Sequence, residues 1–216
     1  MTTAYLTVDD APSEDLPEKL DVLDDRGVTA LFFCEGRRLD DYADHARQAL
    51  EAGHLLGNHA YSHTHGSELS VEEFRGEVEE TEALLEGVHE SAGVERFAKL
   101  FRFPYGDAGG DNHDAFQAVL ADHGFAPPKS TGIDETAAEV GGDRDWGWTV
   151  DVEDWTADSP AELRERVADV SVRFETGSED VILFHDDGNT AEQFAAFVDE
   201  LLDRGVDLGD PREAVR

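Results

Sequence analysis

The chain alternates short apolar runs with longer stretches in which apolar residues recur every three or four positions. The short runs, at residues 5–8, 28–33, 54–56, 99–102, 124–126, 148–151 and 181–184, are bounded by turn residues and predict strands. Between them, Leu16, Leu20 and Leu23 recur at helical spacing after Ser13, which stands where an N-cap would. Ser70 and Glu73 have capping-box spacing and open a helix that runs through Val78, Leu84 and Leu85. Residues 161–174 and 191–202 continue the helical pattern, whereas 106–110 and 131–145 read as loops. Repeated βα units imply a parallel sheet, and about seven of them point to an α/β fold of the distorted (β/α) barrel type. An open doubly wound sheet is the alternative. It is disfavoured because no glycine-rich dinucleotide or phosphate-binding fingerprint follows any strand. No linker or internal repeat interrupts the pattern, so residues 1–216 are expected to form one domain.

Charge changes the picture of where such a domain works. The chain carries 51 acidic and 17 basic residues, a formal net charge of -34, with Lys19, Lys99 and Lys129 its only lysines. The excess runs along the whole length, so no acidic tail accounts for it. With 39% hydrophobic residues in periodic blocks the chain is not a disordered polyanion. A surface this acidic repels itself in dilute buffer and is relieved at molar salt, where the screening length falls to roughly 3 Å. The reading is a protein of a salt-rich cytoplasm, as in halophilic archaea. The same charge argues against nucleic acid or an anionic membrane as partner. No stretch is long enough to span a bilayer, Met1-Thr2-Thr3-Ala4 leads straight into the first strand, and a cytoplasmic location is expected. The single cysteine, Cys34, lies in an apolar run and reads as core.

Polar residues cluster where the apolar runs end. The first run ends in Asp9-Asp10, and the third is followed by His59 and His63. The fourth leads through Arg102 to Phe103-Pro104-Tyr105, the sixth ends in Asp151-Val152-Glu153-Asp154-Trp155, and the seventh closes on His185. Imidazoles four apart on a helical turn share a direction, and with one carboxylate they make a three-ligand metal site that leaves a position open. Singly, each residue has a plainer explanation: an aspartate caps a helix, an arginine pairs at the surface, a tryptophan fills core. Five such clusters at the C-terminal ends of strands, where barrel chemistry sits, are not explained by capping.

The ordered set Thr7-Val8-Asp9-Asp10, His59-x-x-x-His63, Arg102-Phe103-Pro104-Tyr105, Asp151-Val152-Glu153-Asp154-Trp155 and Leu183-Phe184-His185 resembles the five motifs of the polysaccharide deacetylases, the NodB-homology or carbohydrate esterase 4 family. The resemblance covers nearly the whole chain. It implies removal of N- or O-acetyl groups from a carbohydrate with a divalent metal, zinc first, with cobalt or another divalent ion in its place. By motif position Asp10, His59 and His63 are the implied ligands and Asp9 the general base, oriented by Arg102. The Tyr105 backbone N–H is the implied oxyanion donor. His185 is the implied general acid, supported by Asp151, and Trp155 and Leu183 form the apolar wall for the acetyl methyl. Amide hydrolysis needs an activated water, a stabilised oxyanion and a proton for the leaving amine, and these residue types supply all three.

The first motif departs from the family at Ala11, where glycine is usual; the added Cβ is expected to reshape the loop without removing the metal. Val8, in place of phenylalanine, is a packing change. His65 reads as an exposed or supporting histidine, and Asp107, Asp111 and Asp114 as solvated acids, since their spacing does not match an EF-hand. Two other functions compete: hydrolysis of a small linear or cyclic amide, and a catalytically silent carbohydrate-binding relative. Relatives of the first kind typically lose the ligands kept here, and binding alone needs neither acid nor base.

Overall fold

The computed structural model describes residues 2–129, 144–171, 174 and 179–216. Six parallel strands form one sheet: β1 (Thr2–Ala11), β2 (Ala30–Cys34), β3 (Leu55–Asn58), β4 (Val150–Asp151), β5 (Glu179–His185) and β6 (Val206–Leu208). The helices are α1 (Leu16–Arg26), α2 (Gly36–Glu51), α3 (Val71–Ala92), α4 (His113–Asp122), α5 (Pro160–Val170) and α6 (Ala191–Asp203). The strand order is β3-β2-β1-β5-β4. Ala4 pairs with Asp180 of β5 and with Leu208 of β6, so β6 lies on the β2 side of β1, beside its first residues. Beyond β3, single bridges from Asn58 to Phe101 and from Phe101 to Asp145 carry the pairing onward.

The expected parallel α/β fold is present, with two differences in its strands. Runs 99–102 and 124–126 join the sheet only through isolated bridges, and β6 is an added strand of three residues. Among the described residues no pairing joins Asp145 to β4, so the closure expected of a full barrel is not made by hydrogen bonds there. The sheet is nevertheless rolled: Arg102, beyond β3, reaches across the interior to Thr7 and Asp9 of β1. The expected loop at 131–145 lies outside the described residues as far as 143, as do residues 172 and 173 of the expected last turns of α5.

Period-two alternation along the strands sorts the core. Ala4, Leu6 and Val8 of β1 pack outward against helical residues such as Leu20, Phe194 and Phe197. Tyr5 joins Leu31, Phe33, Leu55, Leu100 and Trp146 on the inner side. A separate cluster of Phe74, Phe101, Phe103, Phe116 and Phe125 ties α3 and α4 to the segment that carries Arg102; Phe74 and Phe116 stack at 4.1 Å. Such rings stabilise by about 1.5–3 kcal/mol each when fully buried.

Two of the helices open with a capping box. α3 opens with the expected Ser70/Glu73 capping box and closes on Gly93 at φ 66°, and α6 opens with a second box from Thr190 and Gln193. Ser13 does not cap α1. Asp15 holds the N-cap position without a side-chain bond, and Ser13 instead donates its N–H and hydroxyl to the buried Asp186 carboxylate at 2.6 and 2.9 Å. Lys19 donates to the same carboxylate at 2.6 Å and is itself fully buried. A buried carboxylate without donors costs more than an uncapped helix end in water, which explains the exchange. No helix among the described residues is long and apolar enough to cross a membrane.

Candidate active site

Alternation along β1, β5 and β4 puts Asp9, Leu183, His185 and Asp151 on the inner face at the C-terminal ends of their strands, since Asp9 is paired with His185 and Asp151 with Leu183. A cavity of about 430 Å³ opens there. It is lined by nine of the ten expected site residues: Asp9, Asp10, His59, His63, Tyr105, Asp151, Trp155, Leu183 and His185. The tenth, Arg102, lies fully buried beneath it. Trp148 and Asp187 also line the cavity and were not singled out by the sequence motifs.

Asp9 is held by a bond from Arg102 Nη1 at 2.7 Å. The other guanidinium donors reach the Thr7 hydroxyl at 2.8 Å and the backbone carbonyls of Trp146 and Gly147 at 3.0 and 2.8 Å. The Phe33 ring sits 4.4 Å from the Arg102 guanidinium carbon. Burial draws the Arg102 pKa below its ordinary value, while Asp9 opposes that shift.

Beside this pair, Asp10 Oδ1 lies 3.5 Å from His59 Nε2 and 3.0 Å from His63 Nε2. The expectation of a helical turn here is wrong: His59 to His63 is irregular backbone, and Ala60 and His63 adopt left-handed conformations. The two rings converge, 5.2 Å between centroids, because the loop is wired from outside. Asn58 Oδ1 accepts the Ala60 N–H, and Glu77 of α3 accepts the N–H groups of Tyr61 and Ser62. Glu77 carries no motif signal; its helical position facing a loop is visible only in three dimensions. His59 Nδ1 donates to the Arg102 carbonyl at 2.8 Å, leaving the Nε2 lone pair for the cavity.

The ligand atoms of Asp10, His59 and His63 lie within 4.8 Å of one another, and Asp10 Oδ1 is buried without a hydrogen bond. Burial opposes ionisation of Asp10, but the two imidazoles outweigh it and hold its pKa well below the usual carboxylate range. Burial likewise opposes protonation of His59, and Asp9 and Asp10 reverse that to raise its pKa. An orphaned carboxylate oxygen facing two converging imidazole nitrogens fits a divalent cation with an open position.

On the opposite wall, His185 corrects one expectation. Its Nδ1 meets Asp154 Oδ1 at 3.0 Å, and its backbone N–H meets Asp154 Oδ2 at 3.1 Å. Asp154, fully buried and also bound by Asn189 at 2.7 Å, is the carboxylate hydrogen-bonded to His185; Asp151, expected in that place, makes no bond to the imidazole and acts on it only through charge. Burial works against the charged imidazole, but the Asp154 bond and charge, with Asp9 and Asp10 nearby, push its pKa up to about 9. Asp151 instead accepts the Glu153 N–H at 2.7 Å, and burial raises its pKa. Asp154 stands three residues on in the same motif, next to Trp155, and only the fold decides which of the two carboxylates meets Nδ1.

Exposed aromatic rings flank the opening. Trp155 meets His185 edge-on at 5.0 Å, and Tyr105 meets His63 edge-on at 4.5 Å with His65 stacked on its outer side at 3.9 Å. Among the described residues, Asp10, Ala60, His63, Tyr105 and Glu153 are the non-glycine residues at positive φ, and all lie on strand-end segments around the cavity. Backbone held this way costs on the order of 1–3 kcal/mol per residue and is concentrated where side chains must be aimed. Ala11 is not among them: it ends β1 with its methyl buried, so the left-handed residue is Asp10 and nothing at position 11 demands glycine.

Comparison with known proteins agrees with this geometry. The family model for polysaccharide deacetylases matches residues 2–128. The chain belongs to the polysaccharide deacetylase family. It is 27% identical over 185 residues to a peptidoglycan-N-acetylglucosamine deacetylase of Bacillus cereus, covering 85% of this chain and 59% of that protein. The chain thus spans little more than half the length of several curated relatives it matches. Among solved structures, a family 4 carbohydrate esterase from Streptomyces lividans in complex with acetate superposes with a TM-score of 0.72 at 25% identity. That match covers 99% of this chain and 96% of the other. Wild-type BA3943 of Bacillus anthracis, described as a CE4 family pseudoenzyme, superposes with a TM-score of 0.73 at 25% identity, covering 99% of this chain and 65% of that one.

Proposed function

We propose that this chain is a metal-dependent hydrolase that removes acetyl groups from a carbohydrate. The observation that carries the reading is a pair of opposed dyads on one cavity: Asp9 held by Arg102, and His185 held by Asp154, with the Asp10/His59/His63 ligand set beside them. A silent binding relative has no need of an ionised base and a protonated acid facing the same space, so enzymatic action is favoured over the pseudoenzyme alternative. Retention of the whole ligand set likewise favours it over a small-amide hydrolase that works without metal.

A divalent ion, zinc by its preference for imidazole and carboxylate, would be held by Asp10, His59 and His63 and would supply Lewis acidity toward a carbonyl and a water. The chain's own groups do the rest. Asp9 accepts a proton from the attacking water, with its carboxylate oriented by the bond from Arg102 Nη1. The Tyr105 backbone N–H donates to the developing oxyanion. His185, protonated through Asp154, gives its proton to the departing amine or alkoxide. Leu183 and Trp155 exclude water around the acetyl methyl.

The raised His185 pKa fixes the sign of the pH dependence. The acid must be protonated, so activity is present below the folded-state value of about 9 and falls as pH rises through it. Asp154→Asn removes the anion at 3.0 Å and should move the alkaline limb of the kcat profile to lower pH. An unmoved limb in that variant would rule out Asp154 as the support of the acid.

Salt adaptation is the companion reading of the -34 charge. Melting followed by circular dichroism should shift upward by roughly 10 °C or more from 0.1 to 3 M potassium chloride, at about 2–4 °C per kcal/mol of relieved repulsion. A melting point indifferent to salt would end it. For the activity itself, an acetate-release screen in molar salt should find turnover on acetylated chito-oligosaccharides or acetylxylan. Turnover confined to small N-acyl amides would instead support the second enzymatic reading.

A further inference from the structure

With Asp154 bonded to His185, Asp151 is left in the cavity wall without a hydrogen bond to either dyad, although the charges of His185 and Arg102 act on it. Four carboxylates line this cavity: Asp9, Asp10, Asp151 and Asp187. Asp9 is paired with Arg102, Asp10 with His59 and His63, and Asp187 with Arg38. Asp151 forms no ion pair among the described residues. Its Oδ1 accepts the Glu153 N–H at 2.7 Å, which fixes the carboxylate plane, and its Oδ2 receives no donor from the described residues. The side chain is half-buried, so its free oxygen loses part of its hydration without gaining a protein partner. Its position is defined by strand pairing with Leu183, two residues before His185 on the same face. A preorganised acceptor whose second oxygen has no donor among the described residues, beside a proton-donating histidine, is the arrangement that recognises a hydrogen-bond donor on the bound molecule.

We infer that Asp151 is a substrate-binding residue whose free carboxylate oxygen accepts a hydrogen bond from a sugar hydroxyl or ammonium adjacent to the acyl-bearing carbon. The inference rests on the hydrolase reading above and narrows it to neutral or cationic sugars. An anionic sugar brings a further negative charge to a wall that already holds four carboxylates. A small acyl compound without such a donor leaves Asp151 unsatisfied, so the residue discriminates by scaffold, whereas Asp9 and His185 act on the acyl group common to both.

Asp151→Asn is the sharp variant. The Glu153 N–H still requires an acceptor, so the amide oxygen stays in the turn and the amide NH₂ faces the cavity, replacing an acceptor by a donor in nearly the same volume. The test compares wild type, Asp151→Asn and Asp151→Ala on N,N′,N″-triacetylchitotriose and on 4-nitrophenyl acetate, in molar potassium chloride. The expected loss of kcat/KM on the glycan exceeds that on the ester by about 10–100-fold, the range for a hydrogen bond to a charged group, and falls mainly on KM. Equal losses on the two substrates, or a loss confined to kcat, would overturn the inference by assigning Asp151 to the chemistry or to the fold. Unchanged glycan kinetics would overturn it as well. Should wild type release no acetate from any substrate, the hydrolase reading fails separately. Calorimetric titration with glucosamine trimer then decides the inference: binding weakened at least tenfold in Asp151→Ala supports it, and equal binding overturns it.

Discussion

Asp9→Asn is expected to lower acetate release by about 10²–10⁴-fold while the protein keeps its divalent ion, because general-base catalysis is worth about that much and the ligand set is untouched. The substitution preserves shape and leaves an oxygen for Arg102 Nη1, now 2.7 Å from the Asp9 carboxylate, but it removes the group that can take a proton from water. It also leaves the fully buried guanidinium of Arg102 without an anion. Some loss of stability accompanies the loss of turnover, so elemental analysis and a melting curve belong beside the kinetics. Activity within tenfold of wild type in a folded, metal-containing variant would move the base elsewhere.

Arg102→Leu is expected to damage the fold itself. The guanidinium satisfies Asp9, the Thr7 hydroxyl and the carbonyls of Trp146 and Gly147, and it lies against the Phe33 ring. Leucine keeps part of the volume and takes the donor from all four acceptors, three of them in buried contacts. Breaking one side of a buried charge pair costs about 3–5 kcal/mol, and the orphaned carbonyls add to it. At this chain length the melting temperature should fall by roughly 10 °C or more. Lysine should rescue little, because one ammonium cannot reproduce the forked contacts that span β1 and residues 146–147. A melting point within 2 °C of wild type would show that the rolled sheet does not depend on this residue.

The strands at the centre of the sheet were legible because each has a mostly apolar middle that runs into polar or charged residues: 5–8 of β1 into Asp9-Asp10 and 181–184 of β5 into His185. α3 announced itself through Ser70 and Glu73. β6 has only Val206 and Leu208 to show on either side of Asp207, too few for any period to appear. α2 was missed although Leu39, Ala46, Ala49 and Leu50 keep helical spacing, because two of those four are alanines, a weak apolar signal among charged residues. Among the site residues, those with a chemical signature at a strand end were readable. The partner of His185 was not, since Asp151 and Asp154 flank the same turn and only the fold decides which one meets Nδ1. The role of Ser13 was misread for a similar reason: its partner Asp186 is 173 residues away, invisible to a local capping rule.

Hydrolysis should require a metal held by Asp10, His59 and His63. Protein stripped by a chelator, then reloaded with one equivalent of zinc, should be assayed for acetate release from an acetylated chito-oligosaccharide in molar potassium chloride. The expected result is activity that disappears on stripping, returns with zinc at about one ion per chain, and fails to return in His63→Ala. Equal acetate release before and after stripping, or none from fully loaded wild type on any acetylated glycan, would contradict it.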